Sequence, residues 1–463
     1  MSRPDFPDHP DILLNYGEPF TRYGKHCTRM NASFFAELFR QNAPLAFYDD
    51  IGFVRWEEEK GWTTLEEMSL LNELEGLISS VARDLDFQDK TRVLESDLLE
   101  IVRVLKRRTR KAGFPTPSPD AIPAANVLLI WDEAQRDICI REYSPDFMIC
   151  DRLPVKYDPA ATAPQFEAVI HEILPDPEDL RVAQEYLGAA LFFVNLTRKF
   201  ILCYGEGGCG KSVLILFLTK ILGAARVFDL NIESVKHDYA LAGLKPQTTL
   251  LTASEATSGV LCSVGAEWVK KAVGGDFFQT QRKYCNEKCD HQGTFSFAII
   301  SNHRLRFQFE GRGDEWRDRA IPIFFDRHIP EERRELGLVD RLLREEGPGI
   351  LNWFLEGTRR VRQNNWLISI SPVQRDRIER LLALSNPMAV FVQNHVAFSA
   401  GHSFTSAEAW SHYLKVRQEA GLPVLESAAF YKQLAKSMGE IYQTATVNSL
   451  PGKQRGYRGF ELV

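Results

Sequence analysis

The run Gly205-Glu206-Gly207-Gly208-Cys209-Gly210-Lys211-Ser212 matches G-x-x-x-x-G-K-[ST], a spacing suited to holding phosphate. Glycine lets backbone N–H groups wrap an anion without Cβ clashes. A helix start adds partial positive charge. The stretch Phe200–Tyr204 before it reads as a strand, and Val213 opens an apolar stretch that reads as a helix ended by Gly223. In that setting Gly205, Gly207, Gly208, Cys209, Gly210 and Val213 shape a nucleotide loop. Lys211 reaches the β- and γ-phosphates, and the Ser212 hydroxyl binds Mg²⁺. ATP with Mg²⁺ is the expected cofactor, and a tight turn matching by chance is the competing reading.

Three further places complete an ATP-hydrolysing site. Glu255 follows the apolar run TTLLTAS, where a carboxylate can hold Mg²⁺ through water or polarise an attacking water. Asn302 ends the run FSFAIIS and can orient that water; its alternative is a turn-forming Asn. Arg317 and Arg319 precede AIPIFF. They can stabilise transition-state charge in a neighbouring copy's site, or pair on the surface with Asp314, Glu315 or Asp318.

These residues need a scaffold. KFILCY, TTLLTAS, FSFAIIS and AIPIFF are continuous apolar runs separated by helical stretches, the pattern of a parallel sheet covered on both faces. The expected fold is an α/β P-loop, AAA+-like core with a mainly helical N-terminal domain and a C-terminal winged-helix domain. Pro-rich breaks at 114–126, 157–179 and 370–387 mark the joints. The division reads 1–115 helical domain, 116–180 β-containing connection, 181–365 ATPase domain, 366–390 linker helix and 391–463 winged helix. In the first domain, the helix SDLLEIVRVLKRRTRKAG ends in Lys106, Arg107, Arg108, Arg110 and Lys111. A solvated helix end that favours cations is one reading, and a DNA-backbone contact is the other.

Composition narrows the class. Of 463 residues, 44% are apolar and 25% charged, and the net charge is −6. That suits a water-soluble globular chain and argues against a basic nucleic-acid coat. The start MSRPDFPDHP lacks the basic and apolar regions of a signal peptide, and no run approaches a membrane span. Eight scattered cysteines fit reduced thiols, so a cytoplasmic location in a bacterial or virus-infected cell is expected, with no membrane partner.

Taken in order, GxxxxGKS, SE, KKAVGGD, SNH and WRDR-x4-FF resemble the superfamily 3 helicases. The branch most resembled holds the phage and plasmid replication helicases and the poxvirus-type helicase-primases. Lys270, Gly274, Gly275 and Asp276 match its intermediate segment. The resemblance implies a ring, expected to be a homo-hexamer, that translocates on DNA, usually 3′ to 5′. It makes Glu255 the Walker B acid, Asn302 sensor 1, and Arg319 or Arg317 the arginine finger, with spacing favouring Arg319. Cys209 stands where that branch often has Asn, and Ser254 where many members have a first acid, so Mg²⁺ rests on Ser212 and Glu255. Many members carry a primase domain that is not recognisable here, so a separate primase or polymerase is an expected partner.

The resemblance also implies a channel hairpin within 281–295, where Lys283, Lys288 and His291, with Lys270 upstream, would grip a DNA strand. Cys285, Cys289 and His291 have an unusual spacing for zinc, and no fourth ligand is evident. Near the C-terminus three helix candidates (AVFVQNHVAFSA, SAEAWSHYLKVRQEAG, ESAAFYKQLAKSMG) precede a possible wing. There Lys432, Lys436, Lys453, Arg455 and Arg458 would meet duplex DNA. Two functions follow. One is an ATP-driven DNA helicase for a mobile or viral genome. The other is an ATP-switched replication initiator or loader that does not unwind.

Overall fold

The structure, a computed structural model, describes residues 10–463 except 24–26, 50, 59–60, 86–92, 112–119, 148, 150–151, 236–239, 246, 263, 282–287, 310–312, 444 and 446. The chain divides into two compact units: Met1–Ile130 with Cys139–Arg152, and Trp131–Ile138 with Leu153–Val463.

The first unit is built on helices Ala32–Asn42, Glu67–Asp84 and Glu95–Thr109. Phe34, Phe35, Leu38 and Phe39 recur at helical spacing and are buried against Leu70, Leu74, Ile78, Ile101 and Leu105. Asn31 caps the first helix, accepting from Phe34 N at 3.2 Å. A three-stranded antiparallel sheet follows, in which Leu45–Tyr48, Gly52–Glu57 and Gly61–Leu65 pair in that order. Thr63 and Thr64 lie in that last strand, although Thr-Thr followed by Glu66-Glu67 resembles a helix start, and the helix begins at Glu67. Trp62 decides this: it is buried against Trp56 across the strand pair, and a strand direction is what puts it there.

The second unit contains a five-stranded parallel sheet. Its spatial order is Val227–Asp229, Leu250–Ala253, Ser296–Ser301, Phe200–Gly205, Ala320–Phe325. The four apolar runs are strands, and Phe200–Gly205 and Ser296–Ser301 are buried at every position, as a sheet covered on both faces requires. The short edge strand Val227–Asp229 has too few residues to show as an apolar run. Helix Pro177–Ala189 crosses Leu338–Gln363 closely. A Cβ on Gly188 would fall 2.4 Å from Phe354 O, and one on Gly357 would fall 2.0 Å from Gln184 O, so glycine permits the crossing.

At the C-terminus, helices Pro387–His395, Ser406–Glu419 and Ser427–Ile441 accompany a three-stranded sheet ordered Val396–Thr405, Gln454–Leu462, Asn448–Leu450. The stretch AVFVQNHVAFSA, expected to be one helix, is split. The helix ends at His395, and Val396 starts a strand that pairs with Leu462. Val396, Phe404, Tyr457 and Phe460 bury one face of this sheet against Phe430 and Met438, and that burial outweighs helix continuation. No helix among the described residues is long and apolar enough to cross a membrane.

Candidate phosphate-binding site

The loop after Phe200–Gly205 is confined on two sides. Gly205 has φ +148, and a Cβ there would lie 2.0 Å from Phe325 O on the neighbouring strand. Gly210 has φ +85 and caps helix Lys211–Leu222; a Cβ there would meet Ile173 at 2.4 Å. Only glycine takes up both conformation and contact. The loop therefore sits between the end of Ala320–Phe325 and helix Pro164–Ile173.

Lys211 is buried and donates from Nζ to Gly205 O at 2.8 Å and to Glu206 O. Burial pushes its ammonium below the usual lysine value. A bound phosphate would compete with those carbonyls for the ammonium and favour its charged form. The loop borders a cavity of about 700 Å³, also lined by Lys211, Ser212, Val213 and Asn302, a size suited to a nucleotide. Ser212 presents an exposed hydroxyl next to Lys211. Loop amides, a buried ammonium and a hydroxyl form a donor set that fits a triphosphate with Mg²⁺. The Cys209 side chain is buried, and burial raises its thiol pKa.

Glu255 is exposed on the turn after Leu250–Ala253, in the left-handed region at φ +57, which costs of order 1 kcal/mol for a non-glycine residue. Ala256 N donates to Ile300 O at 2.9 Å, and Ser301 Oγ donates to Ala256 O at 2.6 Å. His303 N in turn donates to Ser301 Oγ at 3.0 Å. The buried Ser301 thus fastens the Glu255 turn to the strand end that carries Asn302. Asn302 lines the cavity, and Glu255 is not among the residues that line it. Ser254 donates to Asp229 Oδ1 at 3.3 Å, and Thr252 donates to the same oxygen at 2.6 Å. A carboxylate from the next strand therefore sits within hydrogen-bond reach of Ser254.

The arginines lie at the other end of the sheet. Phe200 N donates to Arg319 O at 2.8 Å, so Arg319 flanks the start of the strand whose end carries the loop, roughly 16 Å away at ~3.3 Å per residue. Arg317 holds Glu379 with two nitrogens, Nη2 at 2.9 Å, and Asp314 at 3.0 Å; the Glu379 hydrogen bond raises its pKa. Arg319 donates to Glu315 O at 3.1 Å and has no hydrogen bond to its buried Nε among the described residues.

The sequence did not point to His328 or Arg334. Nδ1 of His328 lies 3.2 Å from Gly207 O, and its Nε2 lies 3.1 Å from Arg334 Nη2. The carbonyl can only accept, so Nδ1 carries the proton and Nε2 accepts from arginine. Arg334 Nε donates to Ile329 O at 2.9 Å, and Ile329 N donates to Gly208 O at 3.0 Å. Arg334 also lines the cavity. In sequence, DRHIPEERR reads as a polar loop with no motif spacing; only the tertiary contact links it to the glycine-rich loop.

A hairpin stands where the channel hairpin was expected: Phe277–Gln281 pairs antiparallel with Lys288–Gln292. Lys283 and Cys285, and the side chains of Lys288 and Cys289, lie outside the described residues. His291 is turned inward, which corrects its reading as a phosphate contact. It is buried, bonds Thr280 Oγ1 at 3.0 Å and stacks on Phe278. Its place in the strand alternation puts it on the packed face. Lys270 pairs with Glu315 at 3.1 Å. Lys432 and Lys436 are exposed on helix Ser427–Ile441, with Lys436 3.4 Å from Glu440. Arg455 and Arg458 are exposed on the last strand, where Arg458 donates to Ser449 O at 3.0 Å. Lys453 sits in the turn before that strand, and its side chain lies outside the described residues.

No protein-family model matches the sequence, and no curated protein matches it. Among solved structures, an A-form apo structure of the C-terminal region of NrS-1 aligns with a TM-score of 0.51 and 14% identity, covering 92% of this chain and 98% of that one. Two further apo structures of that region align with TM-scores of 0.47 and 0.45, 12% identity and the same coverage. The first likeness shows a shared fold.

Proposed function

We propose that this chain is an AAA+-like ATPase of the superfamily 3 kind that drives a ring-forming DNA helicase in the replication of a mobile or viral genome. The observation that carries the reading is the convergence of the phosphate loop, Lys211, Ser212 and Asn302 on one nucleotide-sized cavity at the carboxyl end of a parallel sheet. Loop amides and Lys211 would bind the phosphates, and Ser212 would hold Mg²⁺. When bound, the metal supplies charge neutralisation between phosphate oxygens. Glu255 and Asn302 would orient water at the γ-phosphate, held in register by Ser301.

The placement of Arg319 supports an assembly. It is too far from its own loop to touch the nucleotide and would serve a neighbour's site. Arg317 is committed to Glu379, which leaves Arg319 as the finger. The hairpin Phe277–Gln292 stands in sequence between the Glu255 turn and the Asn302 strand, so motion at the phosphates can reach it. The C-terminal helices and sheet have the element order of a winged helix, which would present Lys432, Lys436, Arg455 and Arg458 to duplex DNA.

Strand displacement on forked DNA with ATP and Mg²⁺ tests the reading. Wild type should separate the strands, while Lys211→Ala and Glu255→Gln should not. Tailed forks of each polarity should show preference for one, expected to be 3′ to 5′. ATP hydrolysis without unwinding on any fork would overturn the helicase reading in favour of a switch or loader.

A further inference from the structure

The first unit holds a cavity of its own, about 680 Å³, lined by Arg29, Arg103, Arg107, Met30, Val104 and Glu100 among others. Helix Glu95–Thr109 carries a basic run, and the structure sorts it. Arg108 pairs with Glu37 at 3.3 Å and lies over the Tyr16 ring. Arg110 pairs with Asp49 at 2.7 Å, and Lys106 lies over Phe47. Arg103 and Arg107 have no ion pair with any described residue, and neither has Arg29, on strand Cys27–Met30. All three arginines line one concavity, whose lining includes a single carboxylate residue, Glu100.

We propose that this cavity binds the backbone of a single nucleic-acid strand through its phosphodiesters. Guanidinium forks match phosphate oxygens two at a time, which an ammonium does not. Arg103 and Arg107 are one helical turn apart, roughly 6 Å along the axis, close to the separation of successive phosphates on one strand. Arg29 reaches the same space from a separate element, and Met30 and Val104 give the sugar an apolar wall. A lone inorganic phosphate would use one guanidinium pair and leave the rest of the concavity unfilled. The inference does not rest on the ATPase reading: it concerns residues of the first unit and binding without nucleotide.

The test is fluorescence anisotropy of a labelled 30-mer of thymidylate with the full chain, without ATP, across a salt series. The variant Arg29→Ala/Arg103→Ala/Arg107→Ala should bind about tenfold or more weakly at 100 mM salt. Its slope of log K against log salt should fall by about 2, at ~0.7 per phosphate contact. The variant Arg380→Ala, at an exposed arginine of helix Pro372–Ser385 outside the proposed contacts, serves as a comparison and should leave the slope unchanged. A 4-thiothymidine strand should cross-link to peptide 95–109. If the triple variant melts early, the exposed Arg107→Glu alone gives the same readout. An unchanged slope with cross-links elsewhere overturns the proposal. So does full competition by millimolar inorganic phosphate regardless of strand length, which would indicate a free-phosphate site. So does arginine-dependent binding to phosphatidylserine vesicles with no effect on the oligonucleotide.

Discussion

Lys211 is buried, its ammonium folded onto two carbonyls of its own loop, with its pKa held down by that burial. Phosphate binding needs the charged form. Affinity for ATP should therefore hold near neutral pH and fall as pH rises through the depressed value, earlier than an exposed lysine would allow. Lys211→Arg, which stays charged, should lose this alkaline decline even where its affinity is weaker; titration calorimetry across pH reads both. Arg334 belongs to the same scale. Its guanidinium lines the cavity and is aimed by His328. Arg334→Ala should weaken nucleotide binding about tenfold, the loss of one charge-assisted contact of ~1.5 kcal/mol, with little change in the melting temperature. Unchanged affinity would make the arginine a fastening for the loop and nothing more.

Between elements, the close helix crossing and the capped helix ends set the stability. Gly357→Val drives a side chain into the backbone of Pro177–Ala189 and should cost about 3 kcal/mol, read from the denaturant midpoint. Gly76 is the contrast. It is exposed within Glu67–Asp84, with nothing within 4 Å of where a Cβ would sit. Gly76→Ala should stabilise by roughly 0.5–1 kcal/mol. The two changes separate glycine kept for packing from glycine that no contact requires. The capping box of Thr405 and Glu408 marks the start of helix Ser406–Glu419. The break between Pro387–His395 and Val396–Thr405 was not legible in the sequence, because VAFSAGHSFT satisfies either periodicity until a partner strand is present.

At the scale of the molecule, the proposed role of Arg319 in a neighbouring copy's site rests on its separation from its own loop. Arg319→Ala should leave ATP binding intact and lower turnover by roughly a thousandfold. Mixing it with Lys211→Ala subunits should restore part of the activity, since each supplies what the other lacks. Arg317→Ala should instead lower the melting temperature, because it leaves Glu379 without its bidentate partner. Turnover by Arg319→Ala at the wild-type rate would remove the shared-site mechanism.

By itself the sequence determined the glycine-rich loop between a strand and a helix, four of the five strands of the parallel sheet and the helical character of the first unit. Each of these is written in neighbours: glycine spacing, continuous apolar runs and the helical repeat of Phe34, Phe35, Leu38 and Phe39. Tertiary structure alone decided the rest. Ser301 ties Glu255 to Asn302, Asp229 stands behind Ser254, and His328 with Arg334 closes over Gly207 and Gly208. It also turned His291 inward and divided the basic helix into arginines with an ion pair and arginines with none among the described residues. Local spacing encodes backbone conformation and burial, because both depend on periodicity along the chain. A side chain's partner depends on which distant segment packs beside it, and no local pattern carries that information.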